Sequence, residues 1–562
     1  MIERIELKFG SSPGLPSLNL ELTPITVFVG PNNSGKSKIL VEIENYCRTT
    51  RSQTNQVILN RIQFIPWQQN EFELELKRIE QKPKPNEALA PGIILIGKVN
   101  PLYPNSQRIQ LNKPQALIEA LNPNANLAGH YGQFLGVNTL RLDGTSRLNL
   151  CNEQTAGDLQ SLSLNQLSHL FNDNALRAEV RRIIFEAFGK YFVIDPTNIG
   201  KLRVRLSDIN PPDERTEKGW ETNSVKFHGG ALEIMYSSDG VKAFTGIITT
   251  LLAGNPKITL IDEPEAFLHP SLSAKLGKEI GNSLRDTKRR LFVSTHSSSF
   301  LMGCIQSGNP LNIVRLTYKN NIPTARLLDQ NKILRLMRHP LLRSTGVLNG
   351  LFYEAVIVAE SDSDRAFYQE INERLLSAND HRGISNCLFL NAQNKQTVWE
   401  IVKPLRELGI PTAALVDIDF VKEGGQVFTK ALDGSIIPQL SHQSLHNQRQ
   451  AIYNALLATG RDMKRDGGIT TLDSSSQEAA NNFFDLLDEY GCFVVRNGEL
   501  EFWLKTLGAT GHGPAWLIQT FERMGDNPND ADYVIPSQGD VWDFLGKIRT
   551  WIDNQNRKGI PQ

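Results

Sequence analysis

The stretch ITVFVGPNNSGKS, residues 25–37, constrains this chain more than any other. A strand-like apolar run passes directly into Gly30, and Gly30 to Ser37 fit the pattern GxxxxGK[ST] in the context that pattern requires. An apolar strand feeding a glycine-rich loop commits the segment to an α/β core whose strand ends carry ligands. Gly30, Gly35 and the small residues Asn32, Asn33 and Ser34 let successive backbone N–H groups converge on phosphate oxygens. Lys36 supplies positive charge to the β and γ phosphates, and Ser37 offers a hydroxyl to Mg2+. ATP with Mg2+ is the expected ligand.

A second segment completes that chemistry. In KITLIDEPEAFLHP a buried-strand pattern runs into Asp262, placed to hold the magnesium, and Glu263, placed to activate water. FVSTHSS ends another strand at His296, a candidate sensor of the γ-phosphate. Upstream, MYSSDGVKAF sets Ser237, Ser238, Asp239 and Gly240 at an expected helix start, where backbone N–H groups attract anions. These residues resemble the signature of ABC ATPases, with Asp239 where a glycine is usual. In that class the signature of one subunit closes on the nucleotide of the other, so the resemblance implies a homodimer with ATP between its heads. The Q-loop glutamine of that class has no assignable position: Gln63 in RIQFIPWQQ is the one candidate, and it reads more as an ordinary loop residue.

At 562 residues the chain is too long for one core. Lys+Arg and Asp+Glu both number 60, so any nucleic-acid surface must be local. Five scattered cysteines, with no CxxC pair, argue against a disulfide framework or zinc ribbon and predict a reducing, cytoplasmic setting. MIERIELKFG lacks an apolar leader, and no apolar run approaches membrane-spanning length, so no membrane association is expected. Leu176, Val180, Ile183, Ile184, Ala187 and Tyr191 follow helical spacing within an insertion of about residues 153–192, which either packs on its own domain or forms a dimer. A domain boundary is expected near 345, giving an ATPase domain over 1–345 and a second α/β domain over 350–555.

That second domain carries its own acidic residues. AVIVAESDSD ends a buried run at Glu360, with Asp364 at the start of a helix, and AALVDIDF ends another run at Asp417 and Asp419. Residues i and i+2 of a strand share a face, roughly 6.5–7 Å apart. VVRNGELEF adds Glu499 and Glu501, again on one face if extended. In a parallel sheet such strand ends converge, and the simplest account of so many carboxylates is neutralisation by two divalent ions, Mg2+ or Mn2+. Two metals are the machinery of in-line phosphodiester displacement. In NAQNKQTVWE, Asn391, Asn394 and Lys395 either contact a phosphate backbone or form a polar loop.

Glu360, Asp364, Asp417 and Asp419 match, in order and spacing, the acidic motif of the TOPRIM fold of topoisomerases, primases and certain nucleases. With an ABC-type ATPase in front, the chain resembles the OLD (overcoming lysogenization defect) family over nearly its whole length. The resemblance implies a DNA-cleaving metal site held by those four residues and by Glu501. Glu499 stands where a small hydroxyl residue is frequent, and Ser361 where TOPRIM usually has glycine. It further implies a charge-stabilising lysine near the C-terminus, for which Lys547 in DFLGKIRTW is the candidate.

The expected function is thus an ATP-regulated, metal-dependent DNA nuclease of bacterial anti-phage defence, as a homodimer or tetramer. Relatives act alone, with another defence-system protein as in Gabija, or as retron effectors. A retron setting would imply a reverse transcriptase and its RNA–DNA product as partners. A clamp or scaffold ATPase of the SMC (structural maintenance of chromosomes) type is the alternative, opposed by the absence of heptads. A topoisomerase or primase would need further domains or a zinc module.

Overall fold

A computed structural model describes residues 1–84, 86–97, 108–125, 129–158, 163, 165–285, 287–344 and 346–561. Two compact units emerge, Met1–Gln330 and Asn331–Gln562. The boundary expected near 345 falls at a residue outside the described set.

The first unit is built around the strand of the opening motif, β1 (Ile25–Val29), every residue of which is buried. The chain turns at Gly30 and enters α1 (Lys36–Thr49). With β2 (Thr139–Leu142), β3 (Ile258–Asp262), β4 (Arg290–Ser294), β5 (Leu311–Lys319) and β6 (Ile322–Leu328) it forms a six-stranded sheet of order β6-β5-β1-β4-β3-β2. All neighbours are parallel except the β5–β6 hairpin. Parallel strands are covered on both faces, which explains why β1, β3 and β4 are continuous apolar runs rather than alternating ones. A three-stranded antiparallel sheet, with Ile2–Leu7 at its centre, shares a core with α1 and the main sheet through Ile5, Phe28, Ile39, Ile43, Leu260 and Phe292.

The helical insertion comprises Gln166–Asn172 and Asn174–Phe188, the latter capped by Asp173, whose carboxylate accepts from Leu176 N–H. Val180, Ile183 and Ile184 are buried as their spacing predicts. Tyr191 does not continue that helix. Gly189 ends it in the left-handed conformation, which glycine adopts without cost, and Tyr191 begins the strand Tyr191–Asp195. Gln63 likewise lies in a strand, Leu59–Phe64, paired with Arg4, rather than in a loop.

The second unit holds a four-stranded, wholly parallel sheet. Its strands are β7 (Ala355–Ala359), β8 (Cys387–Asn391), β9 (Thr412–Asp417) and β10 (Cys492–Val495), in the order β8-β7-β9-β10. Helix α2 (Asp362–Ser377) follows β7 and α3 (Lys395–Glu407) follows β8. Phe367, Tyr368, Ile371 and Leu375 of α2 pack with Ala355, Ile357, Leu415 and Phe493 and with the C-terminal helix Asp540–Asp553. Arg406 of α3 is fully buried and ties the sheet together, donating to the carbonyls of Thr412, Ser435, Tyr490 and Gly491 at 2.7–2.9 Å. Between β9 and β10 the chain leaves the sheet through Gly425–Gly434, Gln439–Ala458 and Ser474–Asp488 before returning. All five cysteines are free thiols. Among the described residues no helix is long and apolar enough to cross a membrane.

Candidate functional site

Both candidate centres lie at carboxyl ends of parallel strands. In the first unit, Gly30 has φ +142°, and a Cβ there would stand 2.0 Å from the Leu316 carbonyl oxygen, so only glycine fits. Asn33, at φ +59°, and Gly35, at φ +94°, continue the turn into α1, with Asn32 and Asn33 exposed and Ser34 buried. Lys36 folds back on the loop and donates to the carbonyls of Gly30 (2.9 Å) and Pro31 (2.7 Å). Burial lowers its pKa to about 8, against the opposing pull of Glu263 and Asp262. Ser37 Oγ donates to Asp262 Oδ1 at 2.9 Å, and Ser294 Oγ donates to the same oxygen. The two expected magnesium ligands are therefore neighbours, 225 residues apart in sequence.

Glu263 adopts φ +50°, a strained conformation for a non-glycine residue. Its carbonyl accepts from Arg147 and its half-exposed carboxylate stands 3.6 Å from His296 Nε2. Burial, with the charge of Lys36, lowers the pKa of His296. Glu265 Oε1 accepts from Thr295 Oγ1 (2.8 Å) and from His296 N–H (2.7 Å), fixing the loop that carries the histidine. Neither Arg147 nor Glu265 carried a sequence signal beyond its residue type. Ser238 is the exposed N-cap of Asp239–Ala253, and Asp239 pairs with Lys242 at 2.8 Å. A Cβ on Gly240 would come within 2.6 Å of the Phe267 carbonyl oxygen, so a glycine here allows close packing.

In the second unit, β7 and β9 are neighbours whose connections leave in opposite directions, β7 to β8 and β9 to β10. Such a switch point opens a crevice at the strand ends. Glu360 leaves β7 into that crevice and Asp417 ends β9, and Glu360 Oε1 accepts from Asp417 N–H at 3.1 Å. Ser361 caps α2 and forms a reciprocal box with Asp364, whose Oδ2 accepts from Ser361 N–H (3.0 Å) and Oγ (2.7 Å). Serine in place of glycine thus fixes the position of Asp364. Burial, then the charge of Asp417, holds the Glu360 carboxyl far above its ordinary value. Burial raises Asp417 likewise, with Lys464 opposing.

Lys464 is the residue around which the group converges. Its Nζ lies 2.8 Å from Asp417 Oδ2, 3.1 Å from Glu499 Oε2 and 3.9 Å from Asp419 Oδ2. Although burial opposes its charge, these carboxylates hold the ammonium well above its ordinary pKa. Lys395 Nζ reaches Asp419 Oδ2 (2.9 Å) and Glu423 Oε1 (3.0 Å). On the far side, His512 Nδ1 stands 2.7 Å from Glu501 Oε1 and 3.7 Å from Glu499 Oε1. Asp419 Oδ1 is buried with no hydrogen-bond partner.

Several expectations need correction. Asp419 is not in a strand with Asp417: β9 ends at Asp417, and Ile418–Lys422 is a 3-10 turn. Glu499 and Glu501 are not on an extended segment either, since β10 ends at Val495 and Leu500–Phe502 is another 3-10 turn. Both pairs still reach one cluster, because tight turns at strand ends bring alternate side chains together. Lys547 is not the lysine of this cluster; it lines a groove with Asp485, Asp488 and Trp551, and its charge acts on Asp488. Lys464 was missed because it sits in the long β9–β10 excursion without a motif. Its only signal is glycine: a Cβ on Gly498, at φ +141°, would stand 2.3 Å from the Lys464 carbonyl oxygen. Lys395 meets Asp419 and Glu423, while Asn394 caps α3 and Asn391 Oδ1 accepts from Gln393 N–H.

Residues 160–302 match a family model described as an AAA domain, putative AbiEii toxin, type IV TA system. Residues 351–419 match the TOPRIM domain of overcoming lysogenization defect protein-like proteins. Over 174 residues the chain is 26% identical to the Old nuclease of Escherichia phage P2, a match spanning 29% of this chain and 28% of that nuclease. Similar solved structures include an Smc head bound to the C-winged helix domain of ScpA, at 14% identity and a TM-score of 0.33 over 59% of this chain and 99% of that one. Another is an SMC head domain from Thermotoga maritima, at 12% identity and a TM-score of 0.28 over 58% and 99%. The chain thus joins a region matching an AAA-type ATPase domain to a region matching an OLD-like TOPRIM domain.

Proposed function

We propose that this protein is a DNA nuclease that depends on divalent metal ions and is regulated by ATP. The observation that carries the reading is the convergence of Asp417, Asp419 and Glu499 around one ammonium group, that of Lys464, at a sheet switch point where Glu360 accepts from Asp417 N–H. A buried carboxylate group this dense is stable only with compensating positive charge. The donor set is all oxygen on the Lys464 side, and Asp419 Oδ1 is buried without a partner, as a ligand atom would be. Glu360, Asp364, Asp417, Asp419, Glu499 and Glu501 are the residues that would hold divalent ions, Mg2+ or Mn2+. Such ions, when bound, polarise a phosphodiester and stabilise the attacking and leaving oxygens. Lys464 can turn from the carboxylates to a DNA phosphate, and Lys395 holds Asp419 in place.

At the ATPase centre, Lys36 and the loop N–H groups bind phosphates, and Ser37 and Asp262 are positioned for Mg2+. Glu263 is the proposed base for hydrolysis, its backbone fixed by Arg147 and its carboxylate oriented beside His296. Ser238 and Gly240 are assigned to a partner's nucleotide, in a dimer of ATPase heads. A role in bacterial anti-phage defence belongs to the same reading.

The test incubates plasmid and linear DNA with the purified protein and Mg2+ or Mn2+, with and without ATP. Metal-dependent cutting that Asp417→Ala abolishes is the expected result. No cutting of any DNA under all these conditions would leave a clamp-type ATPase as the better reading. Glu263→Gln should still bind ATP and cease to hydrolyse it; undiminished turnover would remove Glu263 from the role of base.

A further inference from the structure

The acidic group has two sides. Glu499 turns Oε2 toward Lys464, 3.1 Å away, and Oε1 toward His512, 3.7 Å away. Its carboxylate therefore stands between one position ringed by Asp417, Asp419 and Lys464 and another ringed by Glu501 and His512. Lys464 shows that a cation is held on the first side. On the second side, one ligand atom each from Glu499, Glu501 and His512 lie within 4.8 Å of one another, the span of a metal's coordination sphere.

The loop that carries His512 is tied to this place rather than drifting past it. Gly511 and Gly513 both adopt positive φ, at +102° and +58°. Gly513 N–H donates to Glu501 Oε1 at 2.6 Å, so the Gly-His-Gly turn wraps the same carboxylate oxygen that His512 contacts. An incidental surface pair would set one carboxylate on the imidazole; here two carboxylates address one ring nitrogen. Glu499 is buried and Glu501 nearly so, whereas His512 is 64% exposed and closes the group from the solvent side.

We propose that His512 is a nitrogen ligand of a cation position formed with Glu499 and Glu501, and that it biases this position toward a transition-metal ion such as Mn2+ over Mg2+. The chemical ground is ligand type: imidazole suits first-row transition ions, whereas Mg2+ takes oxygen donors and keeps its waters. Neutral imidazole also lowers the negative charge that three carboxylates would present, which removes part of the attraction for a hard ion. The inference rests on the nuclease reading only in taking the acidic group as metal-holding.

The experiment uses the full chain, stripped with chelator, and Mn2+ alone as the probe, without nucleotide. Pulsed electron paramagnetic resonance of bound Mn2+ should show nitrogen modulation in the wild type and lose it in His512→Gln. The same substitution should weaken one class of Mn2+ binding by roughly tenfold or more, the usual scale for a lost metal-site group, and make Mg2+ a better competitor. Because His512 is exposed, the variant should melt with the wild type. Bound Mn2+ without nitrogen modulation, or modulation that survives in His512→Gln, overturns the proposal. Failure of the nuclease reading looks different: DNA stays intact although Mn2+ binds with its nitrogen signature, an outcome that supports the assignment of His512.

Discussion

Lys36 is buried with its ammonium turned onto the carbonyls of its own loop, and burial lowers its pKa to about 8. Nucleotide phosphates restore the charged form, so above that pH binding must take up a proton. ATP affinity should therefore be fullest below pH 8 and fall as pH rises past it, approaching about tenfold per pH unit. Titration of a fluorescent ATP analogue across that range reads the slope directly; a flat profile would mean that Lys36 is charged in the free protein throughout. The lysine of the acidic centre has the opposite character. Lys464 is held charged by the carboxylates around it, and the same contacts that stabilise the metal-free protein set it against an entering cation.

At the scale of elements, each centre depends on how a strand hands over to the next segment. Ser361 illustrates this: it closes β7, caps α2 and boxes Asp364 with three contacts of 2.7–3.2 Å. Ser361→Ala should cost about 1 kcal/mol, the ordinary value of such a cap. It should also weaken metal binding, since Asp364 loses its restraint; denaturant melts and Mn2+ titration would read the two effects. A loss of stability with unchanged metal affinity would confine Ser361 to capping. The sequence makes β1, β3, β4, β7 and β9 legible because strands buried on both faces are unbroken apolar runs, and it makes the acidic residues legible because they stand where those runs stop. The 3-10 turns after β9 and β10 were not legible, because alternation of two residues fits a strand and a tight turn alike. Lys464 and His512 were not legible because a long excursion and a glycine-rich loop bring them in, and only tertiary packing decides where those segments return.

Across the whole molecule, 60 basic and 60 acidic residues cancel, so function depends on where charge is concentrated. In each compact unit the candidate centre lies at the carboxyl ends of parallel strands: a glycine-rich loop with Lys36 in one, carboxylates around Lys464 in the other. The claim on which the functional reading depends is that those carboxylates hold divalent cations. Crystals grown with Mn2+ and measured at the manganese absorption edge test it. The expected result is anomalous density between Glu360, Asp417, Asp419 and Glu499, with Lys464 displaced from Asp417. A map empty there at saturating Mn2+, with Lys464 still bridging Asp417 and Glu499, would contradict it.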